Sequence, residues 1–202
     1  MNIYNAIKKG SKILKNKNIK FPDLDCEILL ANVLKKQRKY LILNLYKLLD
    51  KKNFEIYKDL INQRSNGKPL AYLTKKKDFW NSEFIVEEGT LIPRPDTEVL
   101  IEATLELFKY KDYANILDVG VGSGCIILSI LNEKHQFHGT GIDVSSKSIS
   151  ISKLNAKKFS LENRVKFIKT DVDNFSHGKY DLIVSNPPYI KSCLLYTSDA
   201  AD

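Results

Sequence analysis

The chain has 202 residues, of which 43% are hydrophobic and 28% charged, with a formal net charge of +8. That balance is ordinary for a soluble globular protein of one or two domains with chain enough to bury a core. No apolar run approaches membrane-spanning length. The positive charge is nearly all lysine, since the arginines are Arg38, Arg64, Arg94 and Arg164 alone. Runs such as Lys8-Lys9, Lys51-Lys52 and Lys75-Lys76-Lys77 read as solvated faces rather than phosphate tracks, although an anionic partner stays open. Cys26, Cys125 and Cys193 make no disulfide framework and no metal spacing. The first two sit in apolar helical contexts, read as small core residues, and fit a reducing cytoplasm.

Residues 1–72 read as a small helical domain. Ile3, Ala6, Ile7, Ile13 and Leu14 share one helical face, and Leu24, Ile28, Leu29, Ala31 and Leu34 share another, with Asp23 after Pro22 as a cap. Two more helices are expected around Tyr40–Leu43 and Phe54–Ile61. Residues 73–96 read as a hairpin linker. In it, Asp78-Phe79-Trp80 and Glu83-Phe84-Ile85-Val86 flank the turn-forming Asn81-Ser82. Pro93 and Pro95 then forbid regular pairing, and Asp96 or Thr97 can cap a helix through Val99, Leu100, Ile101, Ala103 and Leu107.

From Asn115 the pattern alternates. Strands are expected at Ile116–Val119, Gly139–Asp143, Val165–Ile168 and Tyr180–Val184, with helices over Ile126–Leu131 and Ser146–Phe159. Repeated strand–helix units imply an α/β fold with a doubly wound parallel sheet and helices on both faces, and ligands in such sheets bind beyond the carboxyl ends of the strands. Residues 97–191 make up this domain. The last residues, 192–202, lose the Lys/Asn/Ile bias and resemble a translated transposase-type sequencing adapter, so native sequence is expected to stop near Lys191.

The residues that carry chemistry sit at strand ends. Asp118-Val119-Gly120-Val121-Gly122-Ser123-Gly124 is a glycine-rich turn after a strand, able to pass close to a ligand and to offer helix N–H groups. Its spacing is not the dinucleotide Gly-x-Gly-x-x-Gly, because Cys125 holds the last position. By itself the turn also fits a tight strand–helix corner. Asp143 follows 19 residues after Gly124, at the next strand end, where a carboxylate can accept both hydroxyls of a free ribose. Asp171 falls where an adenine amino group would sit, and equally reads as a turn residue. Beyond the last strand stands Ser185-Asn186-Pro187-Pro188-Tyr189.

The Asn186 side-chain oxygen and the Pro187 carbonyl can accept the two protons of a planar NH2, with Pro188 stiffening the segment and Tyr189 packing on the substrate plane. Positioning by oriented acceptors suits a weakly nucleophilic amide nitrogen. Together these motifs read as an enzyme that methylates an amide or amine nitrogen with S-adenosylmethionine. Asn186, Pro187 and Tyr189 are the catalytic candidates; Asp118, Gly120, Gly122, Gly124, Asp143, Asp171 and Asn186 are the cofactor candidates. Substrate binding falls to Asn186, Pro187, Pro188 and Tyr189. His135, His138 and His177 show no metal or catalytic spacing, so no metal is expected.

The chain resembles the release factor glutamine methyltransferase family over essentially residues 1–191. The resemblance lies in Asp25-Cys26-Glu27-Ile28-Leu29-Leu30, in Lys68-Pro69-Leu70-Ala71-Tyr72-Leu73-Thr74 with Phe79-Trp80, and in Leu91 to Glu98. Cys26, Lys75 and Val121 depart from the commoner Ala, Gly and Thr, and Pro95-Asp96-Thr97-Glu98 favours the release-factor branch over the ribosomal-protein branch. The resemblance implies methylation of the glutamine amide in the Gly-Gly-Gln loop of peptide chain release factors. It also implies S-adenosylmethionine contacts at Gly120, Gly122, Asp143 and Asp171, with Asn186 and its prolines holding the glutamine and the helical domain docking the substrate protein. A cytoplasmic monomer with no membrane and no direct nucleic-acid target is expected.

The family's downstream Arg-aromatic-Glu-Pro segment and final strands are missing. The chain is therefore expected to leave its last strand as an open edge and to be inactive in turnover. Two other readings stay in view: a nucleic-acid adenine or guanine amine methyltransferase, and a non-catalytic partner-binding fragment. A nicotinamide oxidoreductase fails on glycine spacing.

Overall fold

Asn2 opens the chain's first helix by accepting the Asn5 N–H on its side chain at 2.8 Å, and α1 runs Ile3–Lys15. The computed structural model describes residues 1–187, and the chain divides into two units, Met1–Thr74 and the segment from Lys75 onward. In the first unit α1 is followed by α2 (Pro22–Leu34), α3 (Arg38–Leu43), α4 (Lys51–Ser65) and α5 (Leu70–Thr74). Pro22 occupies the first helical position of α2, where its missing N–H costs nothing. Asp23 therefore lies inside the first turn rather than at the cap, which is Phe21 with no side-chain bond. Asp50 caps α4 by accepting the Asn53 N–H at 2.8 Å.

Ile3, Ala6, Ile7, Leu14, Cys26, Leu29, Leu30, Tyr57 and Ile61 fill the core of this unit. Ile13 and Leu24, expected on the apolar faces, are instead 40% and 37% exposed. A buried ion pair lies in this core, Arg64 Nε to Asp25 Oδ2 at 2.7 Å, with both side chains nearly inaccessible. Such a pair is held by geometry: removing either partner strands a buried charge.

The second unit begins with a hairpin, β1 (Lys76–Phe79) and β2 (Ser82–Ile85), with Phe79 opposite Ser82. That register makes Trp80-Asn81 the two-residue turn and corrects the expectation of Trp80 as a strand residue. Trp80 has φ +52°, an uncommon conformation for a bulky side chain. Acidic partners hold it there: its backbone N–H donates to Glu98 Oε1 at 2.8 Å and its indole N–H to Glu133 Oε1 at 2.7 Å. Phe79 and Phe84 from the hairpin belong to the core of this unit.

A 3-10 turn (Pro95–Thr97) leads into α6 (Glu98–Leu107), followed by β3 (Asn115–Val119), α7 (Cys125–Glu133), β4 (His138–Asp143), α8 (Ser146–Lys158), β5 (Val165–Lys169) and β6 (Leu182–Ser185). Tyr180 and Asp181 stop short of β6. Asp181 instead accepts the Asn115 N–H on its carboxylate at 2.8 Å, at the foot of β3.

The four sheet strands are all parallel in the order β5-β4-β3-β6. The chain walks from β3 to β5 on one side and then returns to the other side of β3, so the strand order reverses beside β3, where open α/β sheets form a crevice. Helix α7 packs on β3 and β4 and α8 on β4 and β5, while α6, α7 and α8 touch in succession. The β5–β6 connection carries only a short 3-10 turn, Val172–Asn174. Ile116, Ile126, Ile127, Leu128, Ile130, Leu131 and Phe137 belong to the buried core of this unit. Among the described residues no helix is long and apolar enough to cross a membrane.

Candidate active site

At the carboxyl ends of β3, β4, β5 and β6 lies a cleft of about 380 Å³, within the usual range for small-molecule sites. Gly120, Gly122, Asp143, Asp171 and Asn186 all line it, so one concavity gathers five of the residues singled out from the sequence. Gly89, Leu91, Val119, Ile142, Val144, Ser145, Ser148, Thr170 and Val172 complete the wall. Val119 and Leu91 stood in quoted motifs without a site role, and the other seven had no part in the sequence reading of the site. Most are the neighbours of a strand-end acid or glycine, and position at the sheet rim was the signal that would have found them.

The glycine turn is shaped by its backbone. Gly120, Gly122 and Gly124 have φ of +76°, +55° and +82°, which side chains rarely adopt. The N–H groups of Gly120 and Val121 both donate to the Ile142 carbonyl, at 2.9 and 3.0 Å, and Gly124 N–H donates to the Val121 carbonyl at 2.8 Å. A methyl added at Gly120 would meet nothing within 4 Å, so the face of the turn is open to a ligand. At Gly124 it would strike Leu128 Cδ1 at 2.9 Å and Ser152 Cβ at 3.3 Å. Gly124 thus serves helix packing, as the left-handed residue before α7, and does not line the cleft.

Asp143 accepts the Gly122 N–H on Oδ2 at 3.0 Å and the Ser145 N–H on Oδ1 at 2.8 Å. Each carboxylate oxygen keeps a second lone pair, so the residue ties the turn to the end of β4 and still has acceptors for a diol. Asp171 caps the 3-10 turn by accepting the Asp173 N–H at 3.0 Å and faces the same cleft, so its turn role and its ligand-facing position coexist.

Asp118 lies behind the turn, 1% exposed and outside the cleft wall. Its Oδ2 accepts the Ile127 N–H at 3.3 Å, and its Oδ1 has no partner among the described residues. Burial pushes the carboxyl up to about 7, the Ile127 N–H opposing and the charge of Asp143 adding to the rise.

Asn186 is half-buried at the end of β6. Its Nδ2 donates to the Thr97 hydroxyl at 2.8 Å, which leaves Oδ1 without a bond among the described residues. Ser185, one residue earlier, locks the strand end by donating its hydroxyl to the Val119 carbonyl at 2.9 Å. Pro187 follows, exposed and not part of the cleft wall. Pro188, Tyr189 and Cys193 fall outside the described residues, as does the 192–202 tail. Of the two expected caps, Asp96 or Thr97, it is Thr97 that stands at the cap position of α6, but its side chain makes no cap bond.

Asn155 was missed altogether by sequence reading. Fully buried on α8, it accepts the Ile85 N–H at 2.7 Å and donates to the Ile85 and Ser123 carbonyls, each at 2.9 Å. It clasps the hairpin to the glycine turn. Nothing in the pattern of α8 marks it, because its partners are backbone groups 70 and 32 positions away.

Family models match most of the chain: residues 5–74 fit the PrmC N-terminal domain, and residues 96–197 fit the methyltransferase small domain. A release factor glutamine methyltransferase from Clostridium acetobutylicum is 41% identical over 194 residues, a stretch covering 95% of this chain and 68% of that one. The protein of the same name from Buchnera aphidicola is 42% identical over 190 residues, covering 94% and 68%. A bifunctional methyltransferase from Rickettsia conorii is 35% identical over 197 residues, covering 85% of this chain and 38% of its own length.

Proposed function

This chain belongs to the release factor glutamine methyltransferase family, and on that premise we propose that its cleft takes S-adenosylmethionine and presents it to a glutamine side-chain amide of a peptide chain release factor. The observation that carries the reading is Asn186, which reaches the cleft with Nδ2 already engaged and Oδ1 free among the described residues. An acceptor so placed matches a substrate that brings a planar NH2.

The fit to the cofactor rests on the open face at Gly120 and on the second lone pairs of Asp143. Gly120 and Gly122 give backbone clearance, Asp143 accepts the ribose hydroxyls, and Asp171 accepts from the adenine amino group. Leu91, Val144 and Val172 supply apolar wall. When bound, S-adenosylmethionine supplies an electrophilic methyl group on a sulfonium.

The chain's own part is positioning. Asn186 Oδ1 and the Pro187 carbonyl accept the two amide protons, which fixes the plane of the amide and with it the direction of the nitrogen lone pair. An amide nitrogen is a poor nucleophile, so orientation and oriented dipoles do the work that a strong base does elsewhere. Asp118, buried behind the turn, takes no step; its role is to seat α7 under the glycines through the Ile127 N–H. Pro188 and Tyr189 belong to the same motif and lie outside the described residues. The helical unit docks the substrate protein, and the enzyme acts as a cytoplasmic monomer without a nucleic-acid target.

The test is binding by the protein loaded with S-adenosylhomocysteine. A cyclic peptide displaying Gly-Gly-Gln is expected to bind at least tenfold more tightly than its Gly-Gly-Glu counterpart, which lacks the NH2, and duplex DNA is expected not to compete. Equal affinity for the two peptides, or displacement by DNA, refutes the reading.

A further inference from the structure

We propose that Thr97 is a positioning residue that anchors the Asn186 amide; this rests on the reading of Asn186 as the group that receives the target glutamine. Thr97 is 7% exposed and ends the 3-10 turn Pro95–Thr97, held by its own N–H to the Arg94 carbonyl at 3.0 Å. As the residue before α6 it has a hydroxyl suited to capping, yet that hydroxyl makes no cap bond. It takes the Asn186 Nδ2 instead, across 89 positions of sequence.

A side-chain amide is nearly symmetric in shape and opposite in polarity at its two ends. Sterics alone therefore cannot decide which end meets a ligand. A hydroxyl accepts and donates, so Thr97 fixes the plane and distance of the amide while a target with two N–H donors selects the form with Oδ1 facing it. In the structure the end engaged by Thr97 is Nδ2.

The neighbouring Glu98 makes the anchor rigid. Its carboxylate accepts the Trp80 N–H at 2.8 Å, so two consecutive residues bind the hairpin turn and the β6 strand end. The segment Pro95–Glu98 is thus a strut between them, with Pro95 at its start fixing the backbone. Pro187 restricts the backbone of Asn186 from the other side.

The experiment compares Thr97→Val, which keeps the shape and loses the hydroxyl, with Thr97→Ser, which keeps the hydroxyl and loses the methyl. Protein labelled with ¹⁵N at asparagine gives the Asn186 side-chain NH2 signal, identified by its loss in Asn186→Asp. In the wild type and Thr97→Ser that signal is expected to show slowed hydrogen exchange. In Thr97→Val it is expected to exchange freely, and the loaded protein should bind the Gly-Gly-Gln peptide about tenfold more weakly, equivalent to about 1.4 kcal/mol. Affinity for S-adenosylhomocysteine should stay within about twofold.

A wild-type-like NH2 signal in Thr97→Val overturns the proposal. So does a Thr97→Ser variant as impaired as Thr97→Val, which would assign the effect to packing. The NH2 signal decides the Thr97 anchor even where no form of the protein binds the peptide, a result that would sink the proposed substrate instead.

Discussion

Asn155 on α8 is the side chain whose loss should separate the hairpin from the glycine turn. Substituting Asn155→Leu keeps the shape and removes all three hydrogen bonds. The Ser123 carbonyl belongs to a residue only 2% exposed and would be left unpaired, at a cost of about 2–3 kcal/mol. The Ile85 N–H and carbonyl lie on a half-buried strand end that water can partly reach, so each loses about 1 kcal/mol. The sum, roughly 4–5 kcal/mol, is a large share of the ~5–15 kcal/mol of a typical domain.

Trp80 is the single tryptophan and sits in the hairpin turn, so its fluorescence during urea unfolding reports on this unit directly. With a slope of about 2 kcal/mol per molar urea, the midpoint should fall by about 2 M. Asn155→Asp should be worse than Asn155→Leu at pH 8, because it faces two carbonyl oxygens with a buried negative charge, and should recover towards acid pH as it takes up a proton. A midpoint shift below about 0.5 M for Asn155→Leu, on the same slope, or an Asn155→Asp variant indifferent to pH, would refute the account of Asn155 as the clasp.

Three more outcomes are expected. Asp118 has a carboxyl raised from 3.8 to about 7, chiefly by burial, so the folded state keeps its proton while the unfolded chain ionises. Stability is then lost as pH rises from about 4 to about 7 and levels off above, by at most roughly 4 kcal/mol. Asp118→Asn should remove that slope in urea titrations at pH 4.5 and 8, and parallel wild-type and variant profiles would contradict it. Asp143→Ala, which loses both the Gly122 anchor and the diol acceptors, should weaken S-adenosylhomocysteine binding by at least tenfold in calorimetry, since bonds to a charged group contribute about 1.5–3 kcal/mol; an unchanged affinity would exclude Asp143 from the site. Arg64→Met should cost about 3–5 kcal/mol by stranding Asp25, with the double variant Arg64→Met/Asp25→Leu recovering most of it; a double variant as unstable as the single would show that the charge was not the cause.

How far a residue's place can be read from the chain depends on the physical range of the forces that set it. Local placement was legible: the alternating strand–helix pattern from Asn115, the open backbone of Gly120 and Gly122, the strand-end acid Asp143 and Asn186 all sit where periodicity and turn residues pointed. These depend on a few neighbours along the chain. Among the readings that failed, one failed for a local reason and another for a distant one: Pro22 displaced Asp23 from the cap of α2 by starting the helix itself, whereas Trp80 entered the turn, where Glu98 and Glu133 supply partners that no window around Trp80 contains.

By itself, then, the amino-acid sequence determined where the elements lie and which residue types stand at the strand ends, because hydrophobic period and backbone freedom are properties of short segments. Only the tertiary structure decided what those residues do to one another. Gly124 turned out to serve packing against Leu128, Asp118 to lie behind the cleft, and the Thr97 hydroxyl to hold Asn186 in place of capping α6. Asn155 became the link between hairpin and glycine turn. A hydroxyl or amide carries the same bonding capacity wherever it stands. Its partner is chosen by the fold, which brings together groups separated by 32 to 89 positions and shields them from the water that would otherwise satisfy them.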